Sequence, residues 1–352
     1  MLDTPNVPAA GPTLASSRRL APWSVAAVAA AVVLVTLGLF TLTPLQGNAE
    51  FLIVAVVLYV IASTAVATVV EGWRRAKNRL MTSLLVGSAV LALLPLVAVL
   101  GYTLTKGLHR FDGVFFTHSM RGVAESDPDG GAYHAIVGTL EQVGIAAVIA
   151  IPFGLLVAVY LVEYGAGARL GRAVSFFVDV MTGLPSIVAG LFILALWVIA
   201  LGQSFSGFAG SLALVVLMLP TIIRSAEEII ALVPDGLREA SYALGVPKWI
   251  TVLRIVLPTA LPGIITGIML AVARVIGETA PLLLTVFGNN SINPNVFSGA
   301  QSSLPLYVFS EAGLPNESAI DRAWAGALTL ILLVLVLTIA ARTTARFTRA
   351  RG

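Results

Sequence analysis

Long apolar runs alternate with short charged segments along this chain. Each of eight runs has about 20 residues, the length that a helix needs to cross the ~30 Å hydrocarbon core of a bilayer. They cover Ser24 to Thr43, Phe51 to Val70, Leu84 to Leu104, Gly138 to Val162, Val178 to Leu201, Gly210 to Val233, Leu261 to Phe287 and Ala323 to Ala341. The pattern predicts an all-α polytopic membrane protein with about eight spans.

The composition excludes a soluble protein. Of 352 residues, 58% are hydrophobic and only 11% are charged, and the mean hydropathy is +0.95. A chain of this kind cannot cover itself with polar surface, so its apolar surface must face lipid. The sequence has no cysteine, which excludes disulfides, thiolate zinc sites, iron–sulfur ligation and thiol catalysis.

The basic residues predict that both termini are cytoplasmic, because lysine and arginine accumulate in cytoplasmic loops. With this orientation only Lys106, Arg110, Arg121 and Arg322 fall outside. Sixteen lie in or beside the cytoplasm: Arg18, Arg19, Arg74, Arg75, Lys77, Arg79, Arg169, Arg172, Arg224, Arg238, Lys248, Arg254, Arg342, Arg346, Arg349 and Arg351. The net charge of +3 therefore reflects topology, and we expect no nucleic-acid partner.

Composition also divides the chain into segments. Residues 1–22 are rich in Pro, Ala and small polar residues and predict a disordered cytoplasmic tail. Its "SSRRL" could belong to a twin-arginine or secretory signal, but the following apolar run is too long for a signal core and favours a membrane anchor. Residues 23–79 predict a transmembrane hairpin followed by a basic loop, residues 80–345 the main transmembrane domain, and residues 346–352 a basic cytoplasmic tail.

Two predicted external segments are long enough to meet a soluble partner. Lys106 to Tyr133 contains the acidic, turn-rich "AESDPDGG", and Gly288 to Asp321 contains "GNNSINPN". Three histidines, His109, His118 and His134, lie in or beside the first segment. Their spacing fits neither a helix nor a tight turn, so we expect solvated loop histidines and no metal site.

The seventh apolar run contains Arg274 and Glu278. Counted from Pro262, Arg274 lies about 18 Å along the helix, near the middle of the bilayer. A lipid-facing arginine there costs roughly 2.5–3.5 kcal/mol. Arg274 and Glu278 also share one narrow helical face with Gly263, Gly267 and Ala271, small residues that allow close helix packing. We expect this face to point into the helix bundle.

Two roles are open for the charged pair. Arg274 and Glu278 could neutralise each other as an i,i+4 pair that locks helix packing. They could instead line a hydrated path for an anion, because arginine offers a planar fork of donors to an oxyanion. An ionised glutamate accepts a hydrogen bond only from a substrate that still carries a proton, as hydrogen phosphate does. Arg224 could line the same path or extend towards the inner surface.

The predicted cytoplasmic segment "PDGLREASYALGVPKWITVLRIVLP", residues 234–258, reads as a helix–turn–helix. Gly245 is expected to end the first helix, Pro247 to start the second, and Pro258 to close the unit before the next span. One face carries Leu and aromatic residues. It could lie on lipid headgroups or dock as a helix in the groove of another protein.

This segment resembles the "EAA…G…I-LP" loop of the permeases of binding-protein-dependent ABC importers. The matching residues are Glu239, Ala240, Ser241, Gly245, Ile255, Leu257 and Pro258, with Ser241 in the place of a usual alanine. The flanking "GLPSIVAGLF" and "LPGIITGIMLAVARVIGETAPLLLT" are similar to the PstA-type permeases of phosphate-specific importers. The sister PstC type tends to depart after "GET". The resemblance covers roughly residues 80–345.

The resemblance implies a type I ABC importer permease core, with the first two spans as an additional hairpin, in a bacterial inner membrane. Its implied partners are a PstC-type second permease, a PstB-type ATPase homodimer and a PstS-type external phosphate-binding protein. No G-x-x-x-x-G-K-[ST] loop occurs in the chain, so ATP and Mg²⁺ would be bound by the partner ATPase and this chain would not be an enzyme. The alternatives are an importer of another oxyanion or phosphonate, and a secondary anion transporter without an ATPase.

Overall fold

A computed structural model describes residues 23–42 and 47–349, and every regular element in these ranges is helical. The helices are α1 Trp23–Leu42, α2 Asn48–Glu71, α3 Trp73–Gly107, α4 Gly113–Thr117, α5 Tyr133–Val159, α6 Arg169–Thr182, α7 Ser186–Ile193, α8 Gly207–Ala231, α9 Asp235–Ala243, α10 Lys248–Thr251, α11 Leu257–Ile276, α12 Ala280–Thr285, α13 Leu304–Ala312 and α14 Glu317–Arg349. Segments of π-helix extend three of them: Tyr160–Tyr164 after α5, Leu194–Ala200 after α7 and Val252–Val256 after α10.

The structure confirms an all-α polytopic membrane protein. Within the described ranges, 7 helices are long and apolar enough to cross a membrane, and a bent pair of helices would make an eighth. The predicted tail 1–22 lies outside the described residues, as do residues 350–352. The predicted C-terminal tail begins inside a helix, because α14 continues to Arg349.

The predicted straight span from Val178 to Leu201 is wrong. The chain instead forms two helical pieces, Arg169–Thr182 and Ser186–Ala200, which meet at an angle of 108°. The break falls at Gly183, Leu184 and Pro185. Proline has no N–H to donate and restricts the residue before it, so a helix usually ends at this point.

The predicted span from Leu261 to Phe287 is also wrong at both ends. A continuous helical span runs from Lys248 to Ile276, so Pro258 lies inside it and does not close the preceding unit. The π segment just before Pro258 already departs from the regular i→i−4 pattern that a proline interrupts. At the other end the helix stops at Gly277, and α12 begins again at Ala280 with Pro281 in its first turn.

The chain divides into two compact units between Val99 and Leu100. In the N-terminal unit α1 packs on α2, where Phe40 and Phe51 meet edge to face at 5.2 Å between ring centroids. The predicted basic loop before residue 80 is helical, because α3 starts at Trp73 directly after Gly72. The Arg79 guanidinium lies 3.0 Å from the Glu71 carboxylate and ties the start of α3 to the end of α2.

Helix α8 is the centre of the second unit. Its buried side chains join those of α5, α7, α11 and α12 in one apolar core. Close approach of the helices depends on glycines at the contacts. A Cβ on Gly154 would lie 2.7 Å from Ile222, one on Gly263 2.6 Å from Ile229, and one on Gly267 2.6 Å from Ser225. The helices α5 and α11 therefore pack on α8 at distances that a side chain would prevent.

Substituting Gly267 with valine should force α11 away from Ser225, at a cost typical of overpacking, about 1–3 kcal/mol. We expect a lower midpoint of thermal unfolding in detergent. The matched control is Gly101→Ala on α3, where nothing lies within 4 Å of the added Cβ. An unfolding midpoint for Gly267→Val equal to that of the natural chain would show that α11 and α8 are not tightly packed here.

The first of the two predicted external segments is held by an arginine that the structure buries completely. Arg322 on α14 is 0% exposed, and its Nε donates to the Glu311 carboxylate on α13 at 2.8 Å. Its Nη atoms donate to the backbone carbonyls of Asp127 at 2.5 Å and Glu125 at 2.9 Å. One guanidinium thus holds the acidic loop, α13 and α14 together, and we name this arrangement the Arg322 clamp.

A second arginine holds the start of the same segment. Arg110 pairs with the Asp112 carboxylate and donates to the Gly130 carbonyl at 3.0 Å. Asp112 also accepts from the Phe115 N–H at 2.8 Å and so caps α4. Burial alone would raise the pKa of Asp112, but these hydrogen bonds and the Arg110 charge outweigh it and hold that pKa below its ordinary value.

The prediction of three solvated loop histidines is wrong for His134. His109 and His118 are exposed, but His134 lies in the first turn of α5 and is only 3% exposed. Its ring meets Tyr307 edge to face at 5.7 Å between centroids. It packs there because the start of α5 joins Phe115 of α4 and Tyr307 of α13 in one buried apolar cluster.

Candidate substrate path and coupling element

The predicted helix–turn–helix is present as α9, a turn and α10, and we call residues 234–251 the coupling element. Gly245 has φ +74°, a conformation that glycine adopts without strain. The Val246 N–H donates to the Ser241 carbonyl at 3.2 Å and the Gly245 N–H to the Tyr242 carbonyl at 2.9 Å. These two bonds form a Schellman motif, which ends α9 and turns the chain sharply into α10.

A buried hydrogen bond makes the coupling element rigid. The hydroxyls of Ser241 on α9 and Thr251 on α10 lie 2.8 Å apart, and the two residues are 4% and 0% exposed. Alanine at position 241 could not make this bond, so the departure at Ser241 from the resembled pattern has a structural consequence. The two short helices are fixed to each other from inside.

The outer face of the coupling element is exposed and partly apolar. Leu237, Tyr242, Leu244 and Trp249 are 42%, 40%, 84% and 62% exposed. Glu239, Ala240 and Gly245 are exposed as well. Large exposed apolar side chains beside charged ones are typical of a surface that another molecule covers.

The remaining residues of the resembled pattern lie on the helical span that follows. Ile255 is in the π segment Val252–Val256, and Leu257 and Pro258 open α11. The coupling element is therefore continuous with the helix that carries Gly263, Gly267, Ala271 and Arg274. A displacement of the element would act on that helix directly.

Arg274 lies in the last turn of α11 and is exposed in this chain. Gly263 lies against Ile229 and Gly267 against Ser225, so α11 and α8 are antiparallel in register. Continuing that register by seven residues places Arg274 about level with Met218, close to the midpoint of α8. Arg274 is therefore level with the middle of a helix long enough to cross a membrane, but it lies on a face that this chain alone does not bury.

Glu278 does not share the helical face of Arg274. The helix ends at Ile276, and Glu278 follows in the link to α12, half-buried, with its N–H donating to the Val275 carbonyl at 3.1 Å. The predicted placement of all five residues on one helix is wrong for Glu278, because Gly277 and Pro281 end the helix before it continues. No ion pair joins Arg274 and Glu278 among the described side chains. Gly263, Gly267 and Ala271 face α8, with Ala271 0% exposed.

A cavity of 660 Å³ opens beside α11. Its wall on α11 runs from Pro262 to Ala273, the residue before Arg274, and α8 and α14 form the other sides. Polar groups from all three helices reach it: Ser225, Glu228, Thr266, Thr338 and Arg342. The cavity extends about 16 Å along α11, from Ala273 towards the end of the helix that carries the coupling element, and Arg274 is the next residue beyond its wall.

Arg224 belongs to a different cluster. It pairs with Asp179 on α6 and with Glu227 on α8, both at 2.5 Å. It also donates to the carbonyl and the hydroxyl of Ser175, each at 2.9 Å. These bonds fasten α6 to α8, and no contact among the described side chains brings Arg224 to Arg274 or Glu278. The two roles predicted for Arg224 from the sequence, path lining or extension to the inner surface, stay predictions.

Sequence reasoning missed Glu163, which the structure places at the base of the coupling element. It is a carboxylate at the end of a long apolar run and is 7% exposed. The signal available was an acidic residue among apolar neighbours, in "YLVEYG". Its partner is Arg238, 75 residues further along the chain, and the sequence spacing gives no indication of that contact.

These features together are typical of one class of membrane protein. A multi-pass helical membrane protein with an arginine level with the middle of a spanning helix and an exposed helix–turn–helix continuous with the same span has the architecture of a transport permease. The family described as "Binding-protein-dependent transport system inner membrane component" matches residues 150–350. The chain belongs to this family, and within it to the PstA permeases.

Relatives and a solved structure agree with this assignment. "Phosphate transport system permease protein PstA 1" of Mycobacterium tuberculosis (strain CDC 1551 / Oshkosh) is 52% identical over 76% of this chain and 88% of its own length. The PstA of Yersinia pestis is 39% identical over 77% and 91%. The crystal structure of a bacterial ABC transporter involved in the import of alginate has a TM-score of 0.53 at 17% identity, covering 77% of this chain and 98% of that one. This last similarity shows the fold alone.

Proposed function

We propose that this chain is the permease subunit of an ATP-driven importer that moves inorganic phosphate into the cell by alternating access. The observation that carries the proposal is Arg274, an exposed cation level with the middle of α8, beside a cavity that leads towards the coupling element. The relatives at 52% and 39% identity are named as phosphate transport permeases, which supports phosphate as the cargo. A bacterial plasma membrane is the proposed location.

The proposed partners follow from what this chain lacks and exposes. Its sequence holds no P-loop, so a separate ATPase homodimer would bind ATP and Mg²⁺ and grip the exposed face of the coupling element. A second permease of the PstC type would cover the side of α11 on which Arg274 is exposed, and close the path between the two subunits. An external phosphate-binding protein would deliver phosphate from the other side.

In the proposed cycle, closure of the ATPase dimer pushes the coupling element. Because α10, the π segment and α11 form one helical span, this motion tilts the helix that carries Arg274. Phosphate enters in the outward-open state and passes Arg274, whose guanidinium replaces part of its hydration shell. The half-buried Glu278 carboxylate, after the end of α11, accepts a hydrogen bond from the protonated oxygen of hydrogen phosphate. Sulfate carries no such proton at neutral pH.

The test is uptake by the four-part assembly reconstituted in liposomes with ATP inside, with labelled phosphate compared against labelled sulfate. We expect ATP-dependent phosphate uptake at least about tenfold faster than sulfate uptake, the ratio that 1.4 kcal/mol of discrimination gives. Equal rates, or faster sulfate uptake, would make the chain a permease for another oxyanion. The matched control is this chain alone in liposomes, and uptake by it without the ATPase would indicate a secondary anion transporter.

A further inference from the structure

A buried ion pair fastens the coupling element to the end of α5. Arg238 on α9 donates from Nε to the Glu163 carboxylate at 3.0 Å, and its Nη2 lies 2.9 Å from the same oxygen. The two side chains are 12% and 4% exposed. A pair this well shielded from water is coupled far more strongly than a surface pair.

The same guanidinium also holds the end of α8. Arg238 donates to the carbonyl of Val233 at 2.5 Å and to that of Ile230 at 3.1 Å. These carbonyls belong to the last turn of α8 and to the residues just after it, where a helix has no partners of its own for them. One side chain of the coupling element therefore contacts the ends of both α5 and α8.

A second connection reaches the same place from α10. The Lys248 ammonium donates to the backbone carbonyl of Glu163 and lies 4.9 Å from the centroid of the Tyr164 ring. Both Glu163 and Tyr164 are in the π segment Tyr160–Tyr164. The two halves of the coupling element thus grip one short segment at the end of α5.

The helical geometry around these contacts supports movement. Two π segments adjoin the coupling element. It contacts the segment Tyr160–Tyr164 that ends α5, and the segment Val252–Val256 follows it directly in the chain. Segments of π-helix break the regular bond pattern of a long helix and are frequent at functional sites. The coupling element itself is rigid, because the Ser241–Thr251 bond and the Schellman motif fix it internally.

From this arrangement we infer that Glu163 and Arg238 are positioning residues which transmit the motion of the coupling element to α5 and α8. The inference rests on the proposed function, since it assigns the route by which ATPase closure reaches the helices other than α11. Without the pair, the element would still bind the ATPase through its exposed face and would still pull on α11. The motions of α5 and α8 would no longer follow.

The test is the number of phosphate ions transported per ATP hydrolysed by the reconstituted assembly carrying Glu163→Gln. We expect this ratio to fall by at least about fivefold, the lower end of typical coupling between sites. Basal ATP hydrolysis per assembled complex should stay unchanged. The matched control is Glu71→Gln, which removes the carboxylate of another ion pair, that with Arg79 in the N-terminal unit, and should leave the ratio unchanged.

A double-mutant cycle separates a positioning role from general damage. If Glu163 and Arg238 act through each other, Glu163→Gln combined with Arg238→Gln should lower the ratio no further than the worse single variant. Losses that multiply in the double variant would overturn the inference. So would a normal ratio in Glu163→Gln.

The experiment still decides the inference in two further cases. If Glu163→Gln does not assemble, Glu163→Asp keeps the charge at a longer distance from Arg238, and an unchanged ratio in that variant would overturn the inference. If the natural assembly transports another oxyanion in place of phosphate, the ratio is measured with that ion. The proposed substrate would then fail while the positioning role stands or falls on its own result.

Discussion

Replacing Arg274 with glutamine should lower the initial rate of phosphate uptake by about ten- to a hundredfold. Hydrogen bonds to charged groups contribute about 1.5–3 kcal/mol, and each 1.4 kcal/mol is a factor of ten. The Arg274 guanidinium is an exposed cation of α11, level with the middle of α8. Glutamine keeps much of the length of the arginine side chain but not its charge. The measurement is uptake of labelled phosphate by the reconstituted assembly.

The Arg274→Lys variant should take up phosphate at a rate between those of the natural chain and Arg274→Gln. Lysine keeps the charge but loses the planar fork of donors that matches an oxyanion. The matched control is Arg172→Gln, which removes an arginine of α6 that is also exposed. Arg274→Gln with natural uptake would show that phosphate does not pass this side chain, and the proposed path would have to be placed elsewhere.

The apolar pattern predicted that spans exist better than it predicted where they break. An apolar run reports that a segment lies in lipid or in the core, and it is the same whether the helix is straight or bent. Prolines did not decide the matter either. Pro185 and Pro281 coincide with breaks, whereas Pro258 and Pro262 lie inside one continuous span. Whether a proline bends a helix depends on the packing around it, which the sequence does not show.

In the candidate site, too, some features could be predicted from the sequence and others could not. The spacing of Gly263 and Gly267 could be read from the sequence, because residues four apart share a helical face whatever the helix contacts. Glu278 was placed on that face only because the helix was extended past its true end at Ile276. The pair Glu163–Arg238 spans 75 residues, and a contact that distant depends on the fold as a whole.

The arginines that are predicted to lie outside the membrane carry a structural signal of their own. Positive residues are depleted on the external side, so each one found there calls for a structural reason. The structure supplies it for Arg322, which clamps a loop of the predicted external segment, and for Arg110, which pairs with Asp112. Both arginines stabilise the predicted external segment through carboxylates and backbone carbonyls.

The Arg322 clamp predicts the largest loss of stability from a single substitution. Arg322→Met removes a fully buried guanidinium and leaves the Glu311 carboxylate, 8% exposed at its side chain, without its partner. Breaking a buried pair from one side costs about 3–5 kcal/mol. We expect a lower midpoint of thermal unfolding in detergent, and faster proteolysis in the loop 118–131, whose carbonyls lose their donor.

The cause can be separated from a general effect of removing an arginine. Arg121→Met changes an exposed arginine in the same loop and should shift the stability by no more than about 0.5 kcal/mol. Adding Glu311→Leu to Arg322→Met removes the stranded carboxylate and should recover part of the loss, because an apolar pair of similar size avoids the desolvation cost. Recovery of the unfolding midpoint without protection of the loop would show that the two functions of Arg322 are distinct: the pair with Glu311 would set stability, and the donation to the carbonyls of residues 125 and 127 would set the order of the loop. If Arg322→Met unfolds at the same temperature as the natural chain, the guanidinium is not buried as the structure places it.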